Sequence, residues 1–288
     1  MSNKYRVIQS SSNRYIVQVD GLPISMVARK KLKDCNIVVG DFVEYSIEAE
    51  QAVIEKVEKR YNLLNRPRVS NVDGIVAVVA QFPKPDLYTI DKLSYNCIFQ
   101  NINFILCINK IDLATDSFLQ NLNNTYNRVA HTIVHTCALT GRVDSLYYAI
   151  ENKLHALAGQ SAVGKSSIIN CLSPNYHQSI GELSNKGKRG KHTTTTARLF
   201  ALDKNSYIID TPGFSMLDVN EDIKACNLNH YLPDFDQDRQ YCKFSSCTHT
   251  HEQQCGIKLA VENRKISATR YNNYVLVYSE LVQREFRS

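Results

Sequence analysis

Between residues 4 and 60, apolar and polar side chains alternate in short runs: Tyr5–Ile8, Tyr15–Val19, Ser25–Ala28, Asn36–Val39, Phe42–Ile47 and Ala52–Val57. Asp20-Gly21 and Gly40-Asp41 supply turns between them. Alternation with a period of two marks half-buried strands. Five or six such strands in so short a stretch predict a small all-β barrel, of which the oligonucleotide-binding (OB) type is one. Pro67, after Asn65-Arg66, marks a boundary. From about residue 70 the pattern changes. Apolar runs at Gly74–Ala80, Asn103–Ile108, Thr132–Cys137, His155–Ala158, Ala197–Leu202 and Ser206–Ile209 alternate with helical periodicity near 87–100, 116–129, 143–153 and 165–172. That alternation predicts an α/β domain with a parallel sheet covered by helices. Residues 221–288 begin as polar loops and end in a helical stripe, Tyr271, Tyr274, Val275, Tyr278, Leu281 and Val282, whose shared face reads as packing. Three domains are expected: 1–66, 67–220 and 221–288.

Composition changes this picture little. The 288 residues are 43% hydrophobic and 22% charged, ordinary for a globular chain and against wholesale disorder. No run approaches the roughly 20 apolar residues of a membrane helix, and Met1-Ser-Asn-Lys-Tyr-Arg has no apolar stretch for a secretory signal. A cytoplasmic protein is expected. The net charge of +6 is mild, but its distribution is uneven. Residues 1–66 hold 11 basic against 8 acidic residues, and residues 156–220 hold 7 against 4; elsewhere the signs balance. Arg29-Lys30-Lys31-x-Lys33 and Lys186-x-Lys188-Arg189-x-Lys191 lie in the two basic segments and could attract a phosphate backbone. Six of the nine cysteines are scattered and read as small buried hydrophobes in a reducing compartment.

The chemistry begins at Gly159-Gln160-Ser161-Ala162-Val163-Gly164-Lys165-Ser166, followed by Ser167, which matches the phosphate-binding loop G-x-x-x-x-G-K-[ST] between an apolar strand and a helix. Its glycines let successive N–H groups face phosphates. Lys165 would neutralise the β- and γ-phosphates, and Ser166 would bind Mg²⁺. Asn109-Lys110-Ile111-Asp112 ends a strand and selects the base. The Asp112 carboxylate can accept from guanine N1–H and the N2 amine, for which adenine has no equivalent. Asn109 can bond the base edge and tie the loop, while the Lys110 stem covers the ring. Thr136-Cys137-Ala138-Leu139-Thr140-Gly141 resembles the S-A-x-x-G loop that supports guanine, with Cys137 in place of the usual Ser. Asp210-Thr-Pro-Gly213 fits D-x-x-G, in which Asp210 would hold Mg²⁺ through water and the Gly213 N–H would sense the γ-phosphate. Thr193–Thr196 offers a switch threonine for Mg²⁺, Thr193 and Thr194 among the candidates, without fixing which one.

The motif order is rotated relative to a Ras-type GTPase: N-K-x-D and the S-A-x-x-G equivalent precede the phosphate loop. Chain ends on the surface tolerate such a rotation. It also joins D-x-x-G directly to residues 221–288, so that switch movement could pull on the C-terminal unit. This permuted order resembles the RsgA (YjeQ) family of bacterial GTPases that depend on the small ribosomal subunit. The resemblance spans the barrel, Asn109–Asp112, Gly159–Ser167, Gly190-Lys-His192-Thr-Thr-Thr195, Asp210–Gly213 and a C-terminal cysteine cluster. Departures are Ala162 where glycine is common, Lys191 where arginine is common, and a short C-terminal tail. The family implies a GTPase that binds the small subunit and its rRNA during late maturation. Hydrolysis to GDP and phosphate would be stimulated by the subunit and followed by release; a monomer without membrane contact is expected.

Ras-like enzymes place a water-orienting glutamine directly after D-x-x-G; here that position is Phe214, which cannot polarise water. His192 is the candidate for that catalytic role, with phosphate or RNA contact as its alternative. Slow intrinsic turnover follows. Cys242-x₄-Cys247-x-His249-x₅-Cys255 supplies three thiolates and an imidazole, the donor set of a closed structural zinc site. His251 competes with His249 as a ligand, and the family spacing favours His249. Two rivals remain at this level: an RNA-binding module using nucleotide only as a conformational ligand, and an ATP-dependent enzyme, the latter opposed by Asp112.

Overall fold

The computed structural model describes residues 4–11, 14–65, 68–173, 198–203, 205–210 and 218–287. In chain order the strands are β1 (Tyr5–Ser11), β2 (Arg14–Val19), β3 (Leu22–Ala28), β4 (Phe42–Glu48), β5 (Gln51–Val57), β6 (Leu63–Asn65), β7 (Arg68–Ser70), β8 (Gly74–Val79), β9 (Asn103–Ile108), β10 (Thr132–His135), β11 (Leu154–Ala158), β12 (Arg198–Ala201) and β13 (Tyr207–Asp210). The α-helices are α1 (Leu87–Phe99), α2 (Asp116–Tyr126), α3 (Asp144–Ile150), α4 (Lys165–Leu172), α5 (Asp236–Arg239), α6 (Gly256–Glu262) and α7 (Ala268–Arg287). Two compact units result. One comprises Met1–Ile75, Ala138–Ala158 and Gly164–Phe214; the other comprises Val76–Cys137, Gly159–Val163 and Ser215–Ser288.

In the first unit β1 to β5 close into a barrel in the order β1-β2-β3-β5-β4. β1 runs antiparallel to β2 and β4, and β3 runs parallel to β5, an OB-like arrangement. The period-two pattern sends Val7, Val17, Val19, Met26, Val43 and Ile54 into one core. The Asp20-Gly21 turn has positive φ at both residues, 49° and 85°, which matches the twist of a two-residue hairpin. Asn36–Val39, expected as a strand, is not one. It follows a 3-10 turn at Lys30–Cys35; Ile37 joins the barrel core, and Val39 makes a single bridge to Val69. A short apolar run buried from a loop gives the same pattern as a strand, so periodicity alone could not separate them. Gly40 (φ +94°) permits the close approach to β7, because a Cβ there would lie 2.0 Å from the Ser70 carbonyl oxygen. The buried Asp41 carboxylate accepts from Val38 N, Arg60 and Ser70 Oγ at 2.6–2.9 Å.

The same unit carries β11, β13 and β12 in that spatial order. β11 and β13 are parallel, but β12 is antiparallel to β13, so the expected all-parallel sheet is mixed. The physical reason is the short link between β12 and β13, which makes a hairpin and cannot span a crossover. Asp203 organises that turn by accepting from Asn205 N, Ser206 N and Tyr147 OH at 2.7–2.8 Å.

In the second unit the spatial order is β10-β9-β8, with β9 and β10 parallel. Ile75–Val79 and Phe104–Ile108 are each at most 2% exposed, the continuous burial of strands covered on both faces. Asp86 caps α1 by accepting from Tyr88 N and Thr89 N. The C-terminal residues pack on α1 through a buried polar cluster. Arg270 Nη1 donates to Asp91 Oδ1 (2.5 Å), and its Nε and Nη2 donate to both oxygens of Asp234 (2.7 and 3.0 Å). Asn273 Nδ2 and Tyr126 OH complete the shell of Asp91. Further along α1, Asn96 donates to Asp218 O and accepts from Asn220 N, while Arg284 donates to Val219 O and Ile223 O. Residues 218–223 are thereby fixed to α1 and α7. Among the described residues, no helix is long and apolar enough to cross a membrane.

Candidate functional site

β9 delivers Asn109 at its C-terminal end, where the backbone N–H donates to Val79 O. The carboxamide is buried and committed on both sides: Nδ2 donates to Val163 O (2.9 Å), and Oδ1 accepts from Thr136 Oγ1 (3.0 Å). Lys110 takes a left-handed conformation (φ +57°). Its ammonium turns toward the phosphate loop and donates to Ala162 O (2.7 Å) and Phe82 O (3.3 Å). Asn109 and the Lys110 ammonium thus both bond the backbone of the phosphate loop, the second a contact that the sequence did not suggest. Ile111 opens a 3-10 turn, with its N–H donating to Thr136 O. Asp112 follows on the surface, and its Oδ1 accepts from the Cys137 thiol (3.0 Å). The departure from serine at 137 thus keeps a donor on the carboxylate.

The phosphate loop carries glycine where only glycine fits. At Gly159 (φ +148°) a Cβ would stand 2.4 Å from Val78 O. Gln160 accepts from Asp86 N at the start of α1. Ala162 holds φ +65°, which explains why glycine is common there. Val163 is buried and Ser161 is exposed. In the first unit, Gly164 (φ +99°), which has no side chain to cap with, leads into α4, and the first-turn N–H groups of a helix favour an anion. Lys165 begins α4; burial lowers its pKa, and the Asp210 carboxylate opposes that shift. Ser166 and Ser167 are exposed on the same turn. Asp210 ends β13, in register with Leu157 of β11. Ala138 starts a 3-10 turn and its carbonyl accepts from Cys171 of α4. His192, Thr193, Thr194, Gly213 and Phe214 lie outside the described residues. The Thr136 hydroxyl, to which motif reading gave no role, and the carbonyl of Phe82 also contribute. Thr136 adjoins the loop resemblance, whereas nothing in the sequence marks Phe82.

The second cluster is closed. Cys242, Cys247, His249 and Cys255 bring one ligand atom each to within 4.8 Å of one another, and His251 is not among them. His249 Nδ1 stands 3.4 Å from both Cys242 Sγ and Cys255 Sγ, and those sulfurs are 3.9 Å apart. With Zn–S near 2.3 Å and Zn–N near 2.0–2.1 Å, tetrahedral edges come to about 3.8 Å for S···S and about 3.5 Å for S···N. Cys242, His249 and Cys255 therefore sit at the separations such an ion requires, with Cys247 completing the four within 4.8 Å. Gly256 makes the fit possible: a Cβ there would lie 2.3 Å from Asp238 O, and its N–H donates to Cys242 Sγ. His249 is held at φ +60° by Tyr271 OH on its own carbonyl and Tyr274 OH on that of Thr248. Burial pushes the Cys247 thiol up to about 12 and raises that of Cys255, whereas a bound cation would favour the thiolates. Burial, helped by Arg239, lowers His249 to about 4 and keeps the imidazole neutral for ligation.

Residues 57–220 match the RsgA GTPase family. A small ribosomal subunit biogenesis GTPase RsgA of Thermotoga maritima is 41% identical over 260 residues, covering 88% of this chain and 87% of the relative. The crystal structure of YjeQ from Thermotoga maritima superposes with a TM-score of 0.79 at 36% identity, covering 97% of this chain and 98% of the other. That of YloQ, described as a circularly permuted GTPase, gives 0.77 at 27% identity, with coverages of 98% and 95%. The matches extend over most of the length of this chain and of its relatives, and this chain belongs to the RsgA family of circularly permuted GTPases.

Proposed function

We propose that this chain is a monomeric cytoplasmic GTPase that binds the small ribosomal subunit through its rRNA, hydrolyses GTP late in subunit maturation and then leaves. The observation that carries the nucleotide assignment is the double tie from the guanine motif to the phosphate loop, Asn109 to Val163 O and Lys110 to Ala162 O. In this reading Asp112 accepts from guanine N1–H and the N2 amine, and Ala138 belongs to the loop supporting the base. Gly159–Ser167 wraps the phosphates, with Lys165 on the β- and γ-phosphates. Ser166, Asp210 and one threonine of Thr193–Thr196, Thr193 and Thr194 among the candidates, would hold Mg²⁺, and the Gly213 N–H would sense the γ-phosphate. When bound, Mg²⁺ offsets phosphate charge. His192 orients the attacking water, and Phe214 in place of a glutamine makes unassisted turnover slow.

The small-subunit assignment rests on the relatives named for its biogenesis. It is supported by exposed Lys30 and Lys31 on the barrel's 3-10 turn; neighbouring Arg29 is engaged by Glu48 and Glu55. Cys242, Cys247, His249 and Cys255 would hold one structural Zn²⁺, which fixes a loop that has little apolar core of its own. Co-sedimentation with purified small subunits tests the partner: binding is expected with a non-hydrolysable GTP analogue and loss with GDP, and equal binding in both contradicts GTP-dependent engagement. His192→Ala should lower basal and subunit-stimulated hydrolysis; unchanged rates would remove His192 from catalysis.

A further inference from the structure

We infer that Asn229 is a positioning residue that fixes His249 as a metal ligand, its carboxamide oxygen accepting the His249 Nε2–H. This rests on the zinc reading above. His249 Nδ1 lies 3.4 Å from two cysteine sulfurs and is the nitrogen that faces the ion. An imidazole ligating through Nδ1 carries its proton on Nε2 and needs an acceptor there. The atom 3.3 Å from Nε2 is Asn229 Nδ2, so metal loading would set donor against donor. Meanwhile Asn229 Oδ1 is buried with no hydrogen-bond partner among the described residues. A half-turn of the carboxamide about Cβ–Cγ exchanges the two atoms and gives Nε2–H its acceptor. The Asn229 backbone is already anchored, since Arg239 Nη2 donates to Asn229 O at 2.8 Å in the 3-10 stretch Ala225–Tyr231. An acceptor on the outer nitrogen fixes tautomer and ring orientation and raises ligand basicity.

Full-length wild-type, Asn229→Leu and Asn229→Asp proteins are compared for zinc affinity by competition with a chromophoric chelator. The visible spectra of their Co²⁺ forms and the melting of their metal-free forms are recorded alongside. Leucine keeps the approximate volume and removes the acceptor; aspartate keeps the acceptor. Zinc should bind Asn229→Leu roughly 10–100-fold more weakly, with Asn229→Asp within about threefold of wild type. The metal-free proteins should melt alike, and Asn229→Asp should retain the wild-type Co²⁺ spectrum. Wild-type affinity in Asn229→Leu, or equal weakness in both variants, overturns the role of Asn229. If Asn229→Leu does not fold, a weakened affinity or a changed Co²⁺ spectrum in Asn229→Asp overturns it instead. A wild-type protein that binds no zinc overturns the metal reading itself and this inference with it, so the two failures are distinguishable.

Discussion

Ala162 occupies a left-handed conformation that costs a non-glycine residue about 1–2 kcal/mol. Glycine there would relieve that strain but add about 0.5–1 kcal/mol of unfolded-state entropy. Ala162→Gly should therefore stabilise the protein by about 0.5–1 kcal/mol, read as a higher urea midpoint at unchanged slope. Nucleotide binding should persist, because Lys110 uses the backbone carbonyl of residue 162. Cys137 gives a second expectation at this scale. A thiol is a weak donor and a hydroxyl a better one, so Cys137→Ser should hold Asp112 at least as well. Cys137→Ala removes the donor, and because Asp112 is exposed, water partly replaces it. GDP affinity should fall by about 0.5–1 kcal/mol, roughly two- to five-fold, in a fluorescent-GDP titration. An alanine variant with unchanged affinity would show that the thiol does not orient the carboxylate.

Among the secondary-structure elements, α1 and α7 are joined by charge as well as by apolar packing. Arg270, Asp91 and Asp234 are almost wholly buried. Burial pushes the Asp91 carboxyl up, with Arg270 and Asn273 opposing, and the paired carboxylates keep the Arg270 guanidinium charged. Removing one partner of such a set leaves uncompensated buried charge, so Arg270→Met should cost about 3–5 kcal/mol of stability by urea unfolding. The β12–β13 turn behaves differently. Burial raises the Asp203 carboxyl, but hydrogen bonds from Ser206, Asn205 and Tyr147 outweigh it and leave it at about 2. Against an unfolded value near 3.9, this stabilisation is complete at higher pH and is lost as pH falls through about 2. Asn at 203 never gains it. The Tm difference between wild type and Asp203→Asn should therefore be present at pH 7 and close between about pH 4 and pH 2.

These elements also show what a linear reading captures. The phosphate loop, N-K-x-D and the four metal-ligand candidates are each contained in a short stretch, so residue type and spacing suffice to propose them. Barrel strands and α1 follow from periods of two and 3.6. What stayed hidden is long-range or conformational. The Arg270–Asp91 pair spans 179 positions and the Asn109–Val163 tie spans 54. Ile37–Val39 is an apolar run buried from a loop, and β12 turns back because its link to β13 is short. The engagement of Arg29 by Glu48 and Glu55 could not be read from a run of basic residues either.

For the whole molecule, residues 218–287 and the guanine motif belong to one compact unit, fastened by Asn96, Arg270 and Arg284. Zinc removal should therefore be felt as lost stability of the C-terminal loop: exhaustive chelation is expected to lower Tm, and re-addition of Zn²⁺ to restore it. The chain as a whole is read as a guanine-specific hydrolase whose turnover waits on the small ribosomal subunit. The most direct measurement is phosphate release from GTP by the purified protein, with and without purified small subunits and with excess ATP as competitor. Slow release alone, marked acceleration by the subunits and indifference to ATP are predicted. GTP hydrolysis that small subunits leave unchanged, or that ATP suppresses, would contradict it.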